Sequence, residues 1–328
     1  MGFQPTATVS VIVPAYNAAQ TLPGCIDALL NQTFDRSRYE VIIVDDGSTD
    51  GTAQVADRPG IRLVRQAHAG PAAARNAGIG WARGDLLLFT DADCEPAGDW
   101  IEAMARPFTD TQVMGCKGVY RTRQRGLLPR FVQAEYEEKY RPMMRADSID
   151  FIDTYSAGYR RSVFENAGLF AEDILAAEDA EFSFRLAQRG YRLVFNPQAV
   201  VYHTHAASLV HYLRRKFRFG RWRARVYLLY PQKIGGDSHT PKNLIWQMAL
   251  VAATLLGLPL TALSLWAAWL PITATAAFLC TTIPFLVDVR QRDLEVALIA
   301  PVMLWLRALA LGLGLSYGLA TAVLRISD

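Results

Sequence analysis

Short apolar runs alternate with helix-forming stretches through the N-terminal part of the chain. Four of these runs are rich in β-branched residues or leucine, which is typical of buried strands: Val9–Val13, Tyr39–Val44, Ile61–Val64 and Asp85–Phe89. Residues 17–21 are predicted to lead into a helix that runs through Leu30, and a second helix is predicted at residues 72–81. Strands and helices that alternate at this spacing predict a parallel sheet with helices on its faces. We therefore predict an α/β fold with a mostly parallel central sheet.

A second structured block is predicted between Ser156 and His205. Its patterns are those of helices near residues 161–167 and 179–189, and of strands near residues 191–195 and 199–203. Residues 114–155, which precede it, are rich in Arg, Glu and Tyr and show a less regular pattern. We predict that this α/β domain extends to about residue 207.

The C-terminal part of the chain is far more apolar. No Asp, Glu, Lys or Arg occurs between Asn243 and Val287, a stretch that would be about 65 Å long as one helix. The hydrocarbon core of a bilayer is only about 30 Å thick. We therefore predict two membrane helices, at about residues 244–265 and 268–287, joined by a tight turn.

Two to three membrane helices are expected in all, because residues 296–324 are a candidate third span that Arg307 interrupts. An arginine at the centre of a bilayer costs about 2.5–3.5 kcal/mol on insertion scales. The span then starts later, or its first part lies in the interface, or Arg307 faces a cavity. Small residues recur at four-residue spacing along this helix and predict close packing against another helix in the membrane: Ala310, Gly314, Gly318 and Ala322.

A basic helix is predicted at Leu209–Tyr230, immediately before the uncharged stretch. It carries seven cationic side chains with aromatic residues between them. Such a pattern is compatible with a solvated face or a nucleic-acid-binding stripe, but its position before an apolar run favours an anionic membrane surface. The net charge of the whole chain is only +3, so we expect no nucleic-acid partner. The excess of Lys and Arg before the first span places the N-terminal domain in the cytoplasm.

The cysteines and the N-terminus agree with that location. Four cysteines are too few and too scattered for a disulfide framework or a zinc knuckle, so reduced thiols are expected. The apolar run at Val9–Val13 is short and ends at Pro14, which does not fit a standard cleavable signal peptide. We predict a multi-pass protein of the inner, cytoplasmic membrane.

Two acidic motifs follow predicted strands, where ligands of parallel sheets bind. The first is Asp45-Asp46-Gly47-Ser48 and the second is Asp91-Ala92-Asp93. Each motif alone is also compatible with a polar turn. The two carboxylates of the second motif can hold a hard divalent cation, Mn²⁺ or Mg²⁺, that also binds substrate phosphates.

Taken together, four segments resemble the family 2 glycosyltransferases, which have a GT-A fold. The segments are Val9–Asn17 (VSVIVPAYN), Val44–Asp50 (VDDGSTD), Gly70–Gly78 (GPAAARNAG) and Thr90–Asp93 (TDAD). Their order and spacing match the family, and the resemblance covers roughly Val9 to Arg225. It implies a Rossmann-like nucleotide-sugar-binding domain, here followed by a basic interfacial helix and C-terminal transmembrane helices.

The resemblance also implies site residues. It places Pro14, Ala15 and Tyr16 along the nucleobase pocket, with Asp45 supporting the turn beside them. The other residues that it places around the nucleotide sugar are Asp46, Arg75, Asp91 and Ala92. Asp46 is then expected to recognise a uracil-like base edge, and Arg75 to approach the diphosphate. Asp93 is implied as the principal metal ligand, with Asp91 near both ribose and metal.

The acidic element Ala177-Glu178-Asp179-Ala180-Glu181 resembles the family's E-D element. A sugar hydroxyl is a poor nucleophile, and a general base that removes its proton is worth typically about 10²–10⁴-fold in rate. We predict Asp179 as that base, supported by Glu178. The same residues are also compatible with a helix start, because carboxylates favour the positive end of a helix dipole.

Two further groups of residues are implied by the resemblance. A histidine of His203-Thr204-His205 is expected to join the metal; His205 is preferred, because His203 alternates with Val201 and can face the core. Residues Arg218-Phe219-Gly220-Arg221-Trp222 resemble the Q-x-x-R-W element of processive members, with Arg218 in place of Gln. Arg218, Arg221 and Trp222 then contact the diphosphate or acceptor, or only anchor the helix at the interface.

The resulting prediction is a membrane-anchored inverting glycosyltransferase that uses a divalent metal. Its donor is a nucleotide-diphosphate sugar, with UDP expected, and its acceptor is a hydroxyl of a lipid or lipid-linked saccharide. A polyprenyl-phosphate sugar synthase and a non-catalytic membrane scaffold are the alternatives. The predicted segments are a cytoplasmic catalytic domain at 1–207, a basic juxtamembrane segment at 208–242 and a membrane domain at 243–328.

Overall fold

A computed structural model describes residues 8–174, 177–238, 240–241 and 243–326. The chain divides into two compact units. Unit 1 comprises the chain up to Arg123 together with Tyr140–Thr204, and unit 2 comprises Gln124–Lys139 together with the chain from His205. The predicted boundaries at residues 207 and 242 remain predictions.

Unit 1 contains an eight-stranded mixed sheet. Its strands are β1 (Val9–Ala15), β2 (Tyr39–Asp46), β3 (Ile61–Gln66), β4 (Leu86–Thr90), β5 (Cys94–Pro96), β6 (Val113–Arg121), β7 (Ser156–Arg160) and β8 (Arg192–His203). The spatial order is β3-β2-β1-β4-β7-β6-β8-β5. Strands β3, β2, β1 and β4 are parallel, β7 is antiparallel to both neighbours, β8 is parallel to β6, and β5 is antiparallel to β8.

The four strands predicted from the first apolar runs are confirmed. The central residues of β1, β2 and β4 are almost completely buried, whereas those of β3 are half-buried. Two differences concern the second half of unit 1. Strand β6 lies in residues for which no element was predicted. Strand β8 is continuous through residues 192–203, whereas two separate strands were predicted there.

The helices before the C-terminal part lie close to their predicted positions where one was predicted. They are α1 (Leu22–Leu30), α2 (Thr52–Ala56), α3 (Pro71–Trp81), α4 (Trp100–Ala105), α5 (Leu127–Met144), α6 (Arg161–Ala167) and α7 (Glu178–Gln188). Helix α5 was not predicted. Its residues up to Lys139 belong to unit 2.

Helix α3 lies directly on the parallel part of the sheet. Pro71 occupies its first turn, where the missing N–H costs nothing and the fixed φ suits a helix. A Cβ at Gly78 would lie 2.4 Å from Ile12 Cγ2, so glycine is what allows the helix to approach β1 so closely. The strand therefore fixes the position of α3 and of the polar side chains that α3 carries.

Unit 2 contains four long helices besides the first part of α5. They are α8 (Leu209–Leu229), α9 (Leu244–Leu260), α10 (Trp269–Arg290) and α11 (Leu294–Ile326). Two segments are long and apolar enough to cross a bilayer, Leu265–Arg290 and Leu294–Ala322, with mean hydropathies of 1.8 and 2.1. Only 28% and 39% of their most apolar windows are buried, whereas the core helix of a soluble protein is mostly buried.

The small residues of α11 pack against a helix, as predicted, and that helix is the basic helix α8. A Cβ at Gly314 would lie 2.1 Å from the Phe217 carbonyl oxygen, and one at Gly318 would lie 2.3 Å from that of Arg221. On α8, Gly220 approaches the backbone of Leu311 equally closely. Glycines on both helices therefore bring the two backbones into contact.

Arg307 lies inside unit 2 and is 3% exposed. Its guanidinium donates to Glu135 Oε1 at 3.2 Å and to Gln247 Oε1 at 2.8 Å. Glu135 also bonds to Lys216 Nζ and accepts from the Tyr212 hydroxyl. Arg307 therefore faces polar partners inside unit 2, and the three predicted alternatives for this span remain predictions.

Candidate active site

The carboxyl ends of β1 and β2 lie side by side. Ala15 pairs with Asp45 in the parallel register of these strands, so the predicted nucleobase residues Pro14–Tyr16 lie beside the first acidic motif. The loops that follow the two strands are linked: the Asn17 N–H donates to Ser48 Oγ at 3.0 Å, and the Thr49 N–H donates to Asn17 Oδ1 at 2.9 Å. The predicted nucleobase residues therefore lie at a sheet edge whose two loops are linked by hydrogen bonds.

Asp46 is 2% exposed and organises the chain that follows β3. Its Oδ1 accepts from Gln66 Nε2 at 2.7 Å and from the Ala69 N–H at 2.9 Å, and its Oδ2 accepts from the Gly70 N–H at 2.9 Å. Through these bonds Asp46 stabilises the turn that precedes α3. Its predicted contact with a base edge remains a prediction. Asp45 is also buried, and its Oδ1 accepts from the Ser48 N–H, which fits its predicted support of the turn.

His68 is a candidate site residue that the sequence did not single out. Its ring stacks on Tyr16 with centroids 4.0 Å apart, and its Nδ1 lies 2.9 Å from Asp46 Oδ2. The Tyr16 residue is 47% exposed and the His68 side chain 54% exposed. The two rings form an open aromatic surface beside the first acidic motif. The available signal was the position of His68 after β3, at the same edge of the sheet.

The second acidic motif follows β4 directly. One ligand atom each from Asp91, Asp93 and Cys94 lie within 4.8 Å of one another. Cys94 pairs with His203 across the antiparallel strands β5 and β8. That register brings His203 Nε2 to 3.2 Å from Asp93 Oδ2. The nearby histidine in unit 1 is therefore His203, and its ring also stacks on Tyr120.

The chemistry of this group fits a hard divalent cation. Burial, reinforced by the charges of Asp93 and Asp91, raises the pKa of the Cys94 thiol well above its usual value. Hard divalent cations prefer oxygen ligands, so among these three residues the two carboxylates are the suitable donors. The Asp93 side chain is 48% exposed, which leaves room for further ligands such as water and phosphate. Ala92 is buried between the two carboxylates.

Arg75 joins this motif to the predicted base. Its Nη2 donates to Asp91 Oδ1 at 3.0 Å and its Nη1 to Glu178 Oε1 at 2.7 Å. The residue is 4% exposed. Burial raises the pKa of Asp91, and the Arg75 guanidinium opposes that rise. Because both terminal nitrogens of Arg75 already bind carboxylates, its predicted approach to the diphosphate remains a prediction.

Asp179 lies in the first turn of α7, next to Glu178. Its Oδ1 accepts from the Ala180 N–H at 2.7 Å. The prediction that these acidic residues begin a helix is therefore confirmed. Burial and the neighbouring Glu178 charge together raise the pKa of Asp179 to about 7, although the Arg75 charge opposes the rise. A carboxylate with a pKa near neutrality is suited to accept a proton at physiological pH. The structural and catalytic interpretations are compatible.

The other predicted site residues belong to unit 2. His205 is 2% exposed, its Nε2 lies 3.1 Å from Gln133 Oε1, and its ring stacks on Tyr136. On α8, Arg218 is exposed, and the Arg221 guanidinium lies over the Trp222 ring at 5.8 Å. The predicted roles of His205, Arg218, Arg221 and Trp222 remain predictions.

The chain is similar in sequence to known glycosyltransferases. The family model described as glycosyl transferase family 2 matches residues 10–168. Glycosyltransferase AglE of Haloferax volcanii is 31% identical over 231 residues, which is 67% of this chain and 74% of AglE. The pre-mycofactocin glycosyltransferase of Mycobacterium tuberculosis is 27% identical over 246 residues, 69% of this chain and 48% of that protein.

A solved structure shares the fold. The mannosyltransferase PcManGT from Pyrobaculum calidifontis, in complex with GDP-Man and Mn²⁺, has a TM-score of 0.64 and 24% sequence identity. The similarity covers 96% of this chain and 88% of PcManGT. The two chains therefore share a GT-A fold. With its matching family model and its similarity to AglE, this chain belongs to glycosyltransferase family 2.

Proposed function

We propose that the protein is a membrane-anchored inverting transferase that moves a sugar from a nucleotide-diphosphate donor onto a hydroxyl of a lipid-linked acceptor. One observation carries the proposal. Arg75 binds Asp91 on one side and Glu178 on the other, so the acidic motif suited to a metal and the acidic element with the base form one charged network.

On the donor side, the open aromatic surface of Tyr16 and His68 provides a stacking position for the nucleobase. Asp93, Asp91 and His203 are the residues that would hold a divalent cation. That cation, when bound, stabilises the negative charge that develops on the diphosphate leaving group. UDP is the nucleotide implied by the resemblance. PcManGT holds GDP-Man, so GDP is the first alternative to test.

On the acceptor side, Asp179 takes the proton of the attacking hydroxyl. Its Oδ2 accepts no hydrogen bond among the described residues, which leaves that oxygen available to the acceptor. Attack by a hydroxyl opposite to the departing diphosphate inverts the anomeric carbon. The need for a base also distinguishes this reaction from polyprenyl-phosphate sugar synthesis, in which the phosphate acceptor is already ionised.

The membrane part of the proposal rests on unit 2. Two apolar helices expose most of their surface. Large apolar side chains around the connection between α9 and α10 are also strongly exposed: Leu263, Leu265, Trp266 and Trp269. Tryptophans at a helix connection are typical of a membrane interface. A catalytic unit attached to such helices is suited to an acceptor that also resides in the bilayer.

Label transfer tests this function. The full chain in detergent is incubated with sugar-labelled UDP and GDP donors, Mn²⁺ and a membrane lipid extract. Incorporation into the organic phase that resists mild acid, or that mild acid releases as an oligosaccharide, supports transfer to a hydroxyl of a lipid or lipid-linked saccharide. Incorporation that mild acid releases as free sugar supports the polyprenyl-phosphate alternative. A protein that transfers no label from any donor fits the scaffold alternative and contradicts the proposal.

A further inference from the structure

Two neighbouring residues of α3, Arg75 and Asn76, bind the chain at two points that precede Asp179. Asn76 binds residues 170 and 172, and Arg75 binds residue 178. Both side chains come from one turn of a helix whose position is fixed against β1. The attachment points lie 94 to 103 residues away in sequence, so these contacts are long-range constraints rather than local turn bonds.

Asn76 fixes the first attachment point, Phe170, through a reciprocal pair of hydrogen bonds. Its Oδ1 accepts from the Phe170 N–H at 3.0 Å, and its Nδ2 donates to the Phe170 carbonyl at 2.9 Å. Nδ2 also donates to Glu172 Oε1 at 2.8 Å. Asn76 is 8% exposed. A buried amide that satisfies both backbone groups of one residue fixes that residue against both translation and rotation.

Arg75 fixes the second attachment point, Glu178, through an ion pair. Its ion pair with Glu178 is 2.7 Å long, and the two side chains are 5% and 8% exposed. Removal of one partner from such a buried pair leaves the other charge uncompensated, and the chain must then rearrange. Because Glu178 and Asp179 are consecutive in the first turn of α7, the Glu178 ion pair also fixes the backbone that carries the base.

We infer that Arg75 and Asn76 are positioning residues that set the place of Asp179 relative to the Asp91–Asp93 motif. This inference rests on the proposed function, because it assigns Asp179 as the base. Arg75 and Asn76 act through Glu178 and Phe170. Arg75 thus links the donor-side acidic motif to the acceptor-side acidic element. The contacts of Asn76 are confined to the acceptor side.

Steady-state transfer tests the inference in the full chain. The variants are Arg75→Gln, Asn76→Ala, Glu178→Gln and the double variant Arg75→Gln/Glu178→Gln. Arg83→Gln is the matched control, because Arg83 is an exposed arginine just beyond the end of the same helix. Displacement of a catalytic group by about 1 Å costs about 10²-fold. We expect a loss in kcat of that order for Asn76→Ala, with the donor KM unchanged.

The double variant distinguishes this inference from the case in which Arg75 and Glu178 act independently. If Arg75 acts through Glu178, the double variant is no slower than the slower single variant, because either change already breaks the pair. Losses that multiply would overturn the inference while leaving the proposed function intact. If Arg75→Gln does not fold, Arg75→Lys replaces it, since lysine keeps the charge but loses the planar two-pronged geometry.

Amide hydrogen exchange provides a readout that needs no turnover. Arg75→Gln and Asn76→Ala are expected to speed exchange at the start of α7, and Arg83→Gln is expected to leave it unchanged. Exchange in α7 that matches the unchanged protein in both variants would overturn the inference, whether or not the protein transfers sugar.

Discussion

His203 Nε2 lies 3.2 Å from Asp93 Oδ2. The contact follows from strand register, because Cys94 and His203 are directly opposed on β5 and β8. The same register gives His203 a buried ring stacked on Tyr120. The histidine that the sequence placed second is thus the one in contact with the predicted metal ligand.

We therefore predict different metal responses for the two histidines. His203→Ala removes a group that binds or orients a metal ligand, and such changes typically cost about 10–100-fold in metal affinity. His205→Ala is expected to cost less, because its ring binds Gln133 and stacks on Tyr136. Half-saturating Mn²⁺ concentrations for activity measure both. A larger effect from His205→Ala would contradict the assignment.

Activity is expected to rise with pH through about 7, the value to which the pKa of Asp179 is raised by burial and by the Glu178 charge. Arg75 and Lys117 lower that pKa and only partly offset the rise. The pH profile of kcat/KM checks this. Glu178→Gln removes a neighbouring negative charge, so it is expected to shift the acid limb to lower pH. An acid limb that does not move would contradict the assignment of Asp179.

The same pKa has a consequence for stability. The folded protein holds the Asp179 proton more tightly than the unfolded chain, in which the group has its ordinary pKa of 3.8. The stabilisation is therefore complete below pH 3.8 and is lost as pH rises through about 7. Asp179→Asn should raise the thermal midpoint more at pH 8 than at pH 5. An equal change at both pH values would contradict the raised pKa.

Donor affinity is expected to depend on the Tyr16–His68 surface. Stacking of a base on an aromatic side chain is worth about 1–3 kcal/mol, so Tyr16→Ala should raise the donor Kd about tenfold. His68→Ala should have a smaller effect in the same direction. Trp81→Ala is the control, since Trp81 is also an exposed aromatic residue, at the far end of α3. Unchanged donor binding in Tyr16→Ala would place the nucleobase elsewhere.

Two glycines of α11 test the contact with α8. A Cβ at Gly314 would lie 2.1 Å from the Phe217 carbonyl oxygen, whereas one at Gly312 would lie 3.7 Å from Met248 Cβ. Gly314→Ala is expected to lower the thermal midpoint because backbone must move. Gly312→Ala should be neutral or stabilising, since alanine is favoured over glycine in a helix by up to about 1 kcal/mol. Equal midpoints for the two variants would contradict the close packing.

Much of the fold could be predicted from local sequence patterns. Buried parallel strands such as β1 have continuous apolar runs, and α8 has a strong helical pattern, so both were predicted. Strand β6 was missed because its pattern is broken by small and polar residues, including the buried Lys117, which pairs with Asp153. Such pairings depend on tertiary contacts that no local pattern contains.

The site was predictable only in part for the same reason. Strand ends revealed where the acidic motifs lie, but not which partners they have. The contacts of Arg75 with Glu178 and of Asn76 with Phe170 join residues about a hundred positions apart. His68 was overlooked because its importance comes from a stack on Tyr16, which requires β1 and β3 to end at the same edge.

The most direct test of the account is nucleoside-diphosphate release by the detergent-solubilised protein, with a panel of UDP- and GDP-sugars and lipid extract, in Mn²⁺, Mg²⁺ or EDTA. Asp93→Asn and Asp179→Asn are measured alongside, with Arg83→Gln as the control. We predict release from one donor class that EDTA abolishes and that falls at least about 10²-fold in both aspartate variants. Release that persists in EDTA, or that survives in Asp179→Asn, would contradict the metal-assisted, base-catalysed transfer proposed for this site.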